Sequence, residues 1–220
     1  MKTTIKTTII ILLITLVCNT DAVTQEVENE YQIRTSASFS YKPAKRLKVI
    51  LSPEIRYDEN IKIGRYLVEG KLTYKPVKNL FLTGNYRFII NPRDENPTEY
   101  FHRFGAGFIY KRKFGDFRPG IKLTYTNDSD DEDGDNENDN FIRYKAWVDY
   151  NIPKCKLTPE VGIELFQQIG SSGIYKVRYK AGFEYKLLKD NYIGVNYKLD
   201  YYMKEYTNKH IFSIGYKLKL

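Results

Sequence analysis

The chain has 220 residues, a formal net charge of +8, 20 Tyr and 12 Phe, and its mean hydropathy is negative. That length suits one domain. The composition excludes a helical membrane protein, because no segment beyond the N-terminus stays apolar over the ~20 positions a spanning helix needs. Aromatic and ionic residues in such numbers must instead be sorted onto different faces.

The N-terminus reads as a cleaved signal peptide. Lys2 and Lys6 form a positive start, Ile9 to Val17 is apolar apart from Thr15, and Cys18 to Ala22 is short and polar. The apolar run is half the length of a spanning helix, and Thr20 and Ala22 suit cleavage after Ala22. Residues 1–22 are then the signal peptide and 23–220 the mature domain. Cys18 raises lipidation as an alternative, although Leu16 and Val17 precede it rather than small residues. The remaining Cys155 has no partner for an internal disulfide.

The mature chain alternates with period two, the signature of strands. From Tyr175 to Leu187, Tyr, Val, Ala, Phe and Leu occupy every odd position. Lys176, Arg178, Lys180, Gly182, Glu184 and Lys186 occupy the even ones. Eleven such segments run at 31–42, 46–58, 63–75, 79–90, 98–111, 116–126, 141–152, 156–168, 174–187, 191–203 and 210–220. Tight connections near Pro43, Pro76, Lys113, Pro153 and Lys189 alternate with longer ones at 58–62, 91–97, 127–140, 169–173 and 204–209. Short turns at one end and long loops at the other are the asymmetry of an outer-membrane β-barrel. The expected fold is all-β, a single antiparallel up-and-down transmembrane barrel. Single-chain bacterial barrels have even strand numbers, so twelve strands are expected, with ten as the alternative.

A tyrosine closes the apolar face at each short turn: Tyr41, Tyr74, Tyr110, Tyr150, Tyr185 and Tyr216. They predict an aromatic girdle at one membrane boundary. Tyr57, Tyr66, Tyr100, Tyr175 and Tyr201 supply the opposite one. Tyr66 to Tyr74 spans roughly 26 Å at ~3.3 Å per residue, or roughly 20 Å along the normal at a tilt of ~40°.

Alternation does not by itself say which face is the lumen. A soluble lipocalin-like binding barrel would turn the apolar face inward. Girdle spacing favours the membrane form, and so do small residues on the charged face, among them Ser36, Ser38, Ser40, Gly105, Gly120, Gly162, Gly182, Gly194 and Gly215. The predicted lumen then holds an ionic network of Arg56, Glu69, Lys71, Arg87, Arg103, Arg143, Lys145, Glu160, Glu164, Lys176, Arg178, Glu184, Lys198 and Asp200. Arg34, Lys48, Arg65, Lys122, Lys180, Glu54 and Asp149 share that face. Buried charges need partners, so a filled, narrow lumen with a structural or ligand-binding role is expected. Because cations outnumber carboxylates there, a small anion-preferring channel is the alternative.

Other chemistry finds little support. The loop Asn127 to Asn140 is acidic, but aligning Gly134 with an EF-hand puts Ser129 and Asn140 where acids belong, so no metal site is expected. A lipid-modifying enzyme on a barrel would need His beside Ser; His102 and His210 lie in no His-x-Ser arrangement. No enzyme activity, catalytic residue or cofactor is expected. The cations alternate along strands and form no stripe, which excludes a nucleic-acid partner.

The Tyr-Lys-Pro turns, Ser52-Pro53-Glu54-Ile55-Arg56-Tyr57 and Gly84-Asn85-Tyr86-Arg87-Phe88 resemble a family of uncharacterised outer-membrane barrels of Bacteroidota, the domain of unknown function 2490. The resemblance covers most of the mature chain. It implies location in the outer membrane, contact with its lipid and lipopolysaccharide, and insertion by the barrel-assembly machinery. Ile211 to Leu220 resembles a closing strand read by that machinery, although Leu220 stands where an aromatic residue is usual. The resemblance supplies no catalytic residues and leaves the oligomeric state open.

Overall fold

The computed structural model describes residues 28–93, 97–127, 140–171, 173–203 and 207–220. The N-terminal segment and most of the acidic loop, with the expectations attached to them, lie outside the described residues.

Eleven strands follow in order: β1 (Glu28–Ala44), β2 (Leu47–Tyr57), β3 (Ile63–Val77), β4 (Leu80–Asn91), β5 (Glu99–Lys111), β6 (Phe117–Asn127), β7 (Asn140–Tyr150), β8 (Leu157–Gln168), β9 (Ile174–Leu188), β10 (Asn191–Tyr202) and β11 (Thr207–Lys219). Each coincides with one alternating segment of the sequence. β1–β2, β3–β4 and β9–β10 are joined by two-residue turns. Asn79 and Asp190 hold left-handed φ of 69° and 63° in two of them, a conformation that Asn and Asp tolerate better than most residues.

The sheet closes into a barrel in which sequence neighbours pair antiparallel. Among the described residues the closed barrel has eleven strands, not twelve or ten. An odd count cannot close by antiparallel pairing alone, and here β1 meets β11 in parallel, in register from Glu28–Thr207 to Ser40–Lys219. Parallel ladders are slightly less stable per residue than antiparallel ones. Side chains reinforce this seam: Lys209 pairs with Glu30 at 2.9 Å, and Tyr31 stacks on His210 with ring centroids 5.0 Å apart. His210 Nε2 also lies 3.1 Å from Asn29 Oδ1. At the other end the Leu220 amide donates to the Ser40 carbonyl at 2.7 Å. The seam puts the start of β1 at the long-loop end and the finish of β11 at the short-turn end.

The polarity is inverted relative to a water-soluble barrel. Arg34, Arg56, Arg103, Lys176, Arg178, Asp200 and Lys209 are buried, whereas Leu51, Val68, Leu72, Val161, Phe212 and Ile214 are exposed. Alternation therefore places the ionic face inside and the apolar face outside. Glycine permits several close approaches in the wall. Side chains at Gly120 and Gly162 would collide with Trp147, which lies against them from β7.

The parallel seam gives a direct expectation. In a Cys155→Ser background, Thr35→Cys with Ile214→Cys, a register pair across β1 and β11, should cross-link under mild oxidation and shift migration on a denaturing non-reducing gel. The antiparallel pair Val195→Cys with Ile214→Cys serves as the positive control. Cross-linking of the control alone would show that β1 closes the barrel elsewhere.

Candidate functional site

The inward residues divide the lumen into layers along the barrel axis. Near the long-loop end every strand contributes one buried side chain: Gln32, Arg56, Leu67, Ile89, Arg103, Thr126, Phe141, Phe166, Lys176, Tyr202 and Ile211, the most exposed of them Gln32 at 7%. Together they fill the cross-section. Within this layer the Phe166 ring gathers cations, with Lys176 and Arg143 each 4.6 Å and Arg178 5.1 Å from the centroid. Cation–π contacts strengthen when water is excluded. Tyr175 packs 5.6 Å from Phe141 and 5.7 Å from Tyr202, so it caps this layer instead of joining an outer girdle.

Beneath the plug lie the ion pairs. Asp200, 1% exposed, accepts from Arg178 Nη2 at 2.6 Å and lies 3.3 Å from Lys176 Nζ. Arg87 Nη2 donates to Glu69 at 2.8 Å, Arg143 to Glu164 at 2.9 Å and Arg56 Nε to Glu54 at 2.8 Å. Toward the turn end, Lys180 pairs with Glu160 and Lys217 with Glu184. Lys217 and Glu184 meet across Gly194 of the intervening β10, where no side chain obstructs them. Several other inward lysines, among them Lys71, Lys122, Lys145 and Lys198, have no carboxylate within 4 Å among the described residues. Lys145 instead lies 5.6 Å from the Trp147 ring.

Three spaces among the described residues share lining side chains. A vestibule of about 400 Å³ occupies the turn-end half, with Ser36, Ser38, Gly194, Asn196 and Gly215 among its lining. It shares Arg34, Glu54, Lys180 and Lys198 with a central chamber of about 200 Å³. That chamber shares Arg87 and Arg143 with a side chamber of about 130 Å³ between β3 and β7. Part-exposed Arg118 and Lys217 mark the open, turn-end mouth. The central chamber is lined by eight cations (Arg34, Arg56, Arg87, Arg143, Lys145, Arg178, Lys180, Lys198) against two carboxylates, Glu54 and Glu164.

All fourteen residues expected in the ionic network project into the lumen, though they serve different layers. Lys176 belongs to the plug, Arg56 and Arg103 to the plug and to the chambers it borders, Asp200 pairs with Arg178 just beneath it, Glu69, Lys71, Arg87, Arg143, Lys145, Glu164, Arg178 and Lys198 line the chambers, and Glu160 and Glu184 line the vestibule. The six tyrosines lie on the outside at the turn end. Tyr41, Tyr74, Tyr110, Tyr185 and Tyr216 are exposed, while Tyr150 is half-buried against Phe117, 4.7 Å between centroids. His102 and His210 sit on the outer face, each 2.7 Å from a tyrosine hydroxyl, Tyr86 and Tyr197. The apolar members of the plug, Leu67, Ile89, Phe141, Phe166, Tyr202 and Ile211, were not expected in the lumen as a group. Their signal is an apolar residue on the ionic parity close to the loop end of successive strands.

The family model described as a protein of unknown function, DUF2490, matches residues 27–210. The chain belongs to the DUF2490 family. No curated protein matches it. In this DUF2490 member the matched segment runs from the edge of β1 into β11, so it takes in both sides of the parallel seam.

Breaking a buried ion pair from one side leaves a bare charge, at a cost of about 3–5 kcal/mol. Asp200→Asn strips the shared carboxylate from Lys176 and Arg178 and should destabilise the barrel by that amount in chemical unfolding. Glu184→Gln, at a part-exposed pair, should cost about 1 kcal/mol or less.

Proposed function

We propose that this DUF2490 barrel spans the outer membrane of a bacterial cell and serves as a structural or ligand-binding protein with a plugged, charged lumen. One observation carries the reading: the outside wall is a continuous apolar surface while arginines, lysines and carboxylates are buried within. In water that arrangement exposes far more apolar area than a soluble monomer tolerates; in lipid it is the stable one. The tyrosine row at the turn end supports it, since amphipathic rings favour a membrane–water boundary. Outer-membrane lipid and lipopolysaccharide are the surroundings this surface suits, with barrel-assembly machinery inserting it.

The complete buried layer at the loop end favours a closed lumen over an open channel. Every strand contributes a buried side chain there, and Phe166 gathers three cations around its ring. The reading contains no catalytic step and no cofactor.

Membrane fractionation with heat-modifiable gel migration tests the location. The folded protein should stay with the outer-membrane fraction and migrate differently before and after boiling; recovery in the soluble wash would end the proposal. Val68→Arg, on the exposed outer face of β3, should destabilise the protein by about 2–4 kcal/mol in lipid if it faces the bilayer midplane. In planar bilayers the wild-type chain should give no steady conductance. Reproducible anion-selective steps would instead favour a small channel.

A further inference from the structure

Resting on the ligand-binding reading above, we propose that the side chamber between β3 and β7 is a binding site for one small inorganic oxyanion, phosphate or sulfate, admitted from the turn end. Lys71, Arg87, Arg103, Lys122, Thr126 and Arg143 line this space of about 130 Å³, and its only lining carboxylate among the described residues is Glu69. That carboxylate is already engaged by Arg87 through Nε at 3.2 Å and Nη2 at 2.8 Å. Arg143 is held by Glu164. The ammonium groups of Lys71 and Lys122 have no carboxylate within 4 Å among the described residues.

A second observation is independent of charge. Thr126 is 2% exposed, and its hydroxyl finds no hydrogen-bond partner among the described residues. A buried hydroxyl left unpaired costs ~1–3 kcal/mol, and this one borders the chamber. Gly105 leaves room for the amide of Asn85, another lining residue, whose Oδ1 would lie 2.6 Å from a Cβ at that position.

The donor set selects the ligand class. Two ammoniums, guanidinium edges and a hydroxyl offer hydrogen bonds from several directions, which a tetrahedral oxyanion accepts through all its oxygens. A metal cation has the wrong sign. Nucleotides and lipid headgroups bearing sugars exceed the volume. Each contributing residue sits on a strand of the closed wall, so the geometry is fixed before the ligand arrives. Arg34 and Lys198, shared by the vestibule and the central chamber, and Arg87, shared by the central and side chambers, would mark the way inward from the turn end.

Calorimetric titration of the refolded full chain in micelles tests this, using sodium phosphate, sulfate, chloride and glycerol 3-phosphate at constant ionic strength. One saturable site for phosphate or sulfate is expected, with chloride at least tenfold weaker. Lys71→Met with Lys122→Met should weaken binding at least tenfold. Lys45→Met with Lys78→Met, two turn residues of equal charge, should leave it unchanged. Thr126→Val removes no charge and should weaken binding severalfold, which keeps the test sharp if the double lysine variant does not fold. No saturable site in the wild type, equal loss in the turn variant, or saturation by glycerol 3-phosphate alone would each overturn the proposal. A chain that fractionates with the outer membrane and is silent in bilayers yet binds no oxyanion overturns this site only. Oxyanion binding by a chain recovered in the soluble wash would spare the site and overturn the membrane reading.

Discussion

Closing a strongly charged sheet on itself sets the terms for everything inside this protein. Closure satisfies the backbone within the wall, so no strand edge is left to pair elsewhere. Alternation then commits half of the strand residues to a confined interior. Ionic groups enclosed there are stable only beside opposite charge or polar partners. Carboxylates accordingly lie between cations of adjoining strands: Glu69 faces Arg87 directly across β3 and β4, and Asp200 faces Arg178 across β9 and β10. A slip of one residue would carry those charges to the apolar outside. The ionic pairs thus hold the register of the wall whether or not they add net stability.

The parallel seam follows from the same demand for closure. Eleven strands leave the first and last running in one direction, and leaving them unpaired would open two ladders of backbone donors and acceptors. β1 and β11 instead remain in register over their length, with Ile211 and Gln32 side by side in the buried layer and Glu30 with Lys209 beyond it. Because antiparallel neighbours give a shorter path to every other pairing, this contact joins the residues farthest apart in the chain. Pairings of that sequence separation carry the largest loop-closure cost, which fits a seam fastened by stacking, salt bridges and a terminal amide.

Side-chain size grades the lumen from one end to the other. Serines and glycines on β1, β10 and β11 leave the vestibule open, whereas Phe141, Phe166, Tyr202 and Ile211 consume the space at the loop end. Between them lies a zone with more cations than carboxylates. A lumen needed only for stability has no reason to keep that excess, since replacing buried ions by packed apolar residues is often neutral or stabilising. The imbalance is the chemical feature on which the proposed role in ligand binding rests.

The sequence alone determined the strands, their faces and the two kinds of connection. Period-two alternation is a local property, and the short turns with Tyr at their ends can be read without knowing any contact. Val177 to Leu187 share the side that their alternation predicts, whereas Tyr175, beside the register shift between β8 and β9, turns toward Phe141 and Tyr202. The tertiary structure decided how the ring closes, because pairing β1 with β11 in parallel depends on residues about 180 positions apart and no local pattern encodes it. It also decided that Leu67, Ile89 and Phe166 form one plug, and that Lys71 and Lys122 meet in one chamber while Arg178 and Lys180 find carboxylates. Those outcomes depend on strand stagger around the barrel. Stagger is fixed by the sum of all the registers, so it becomes visible only when the sheet has closed.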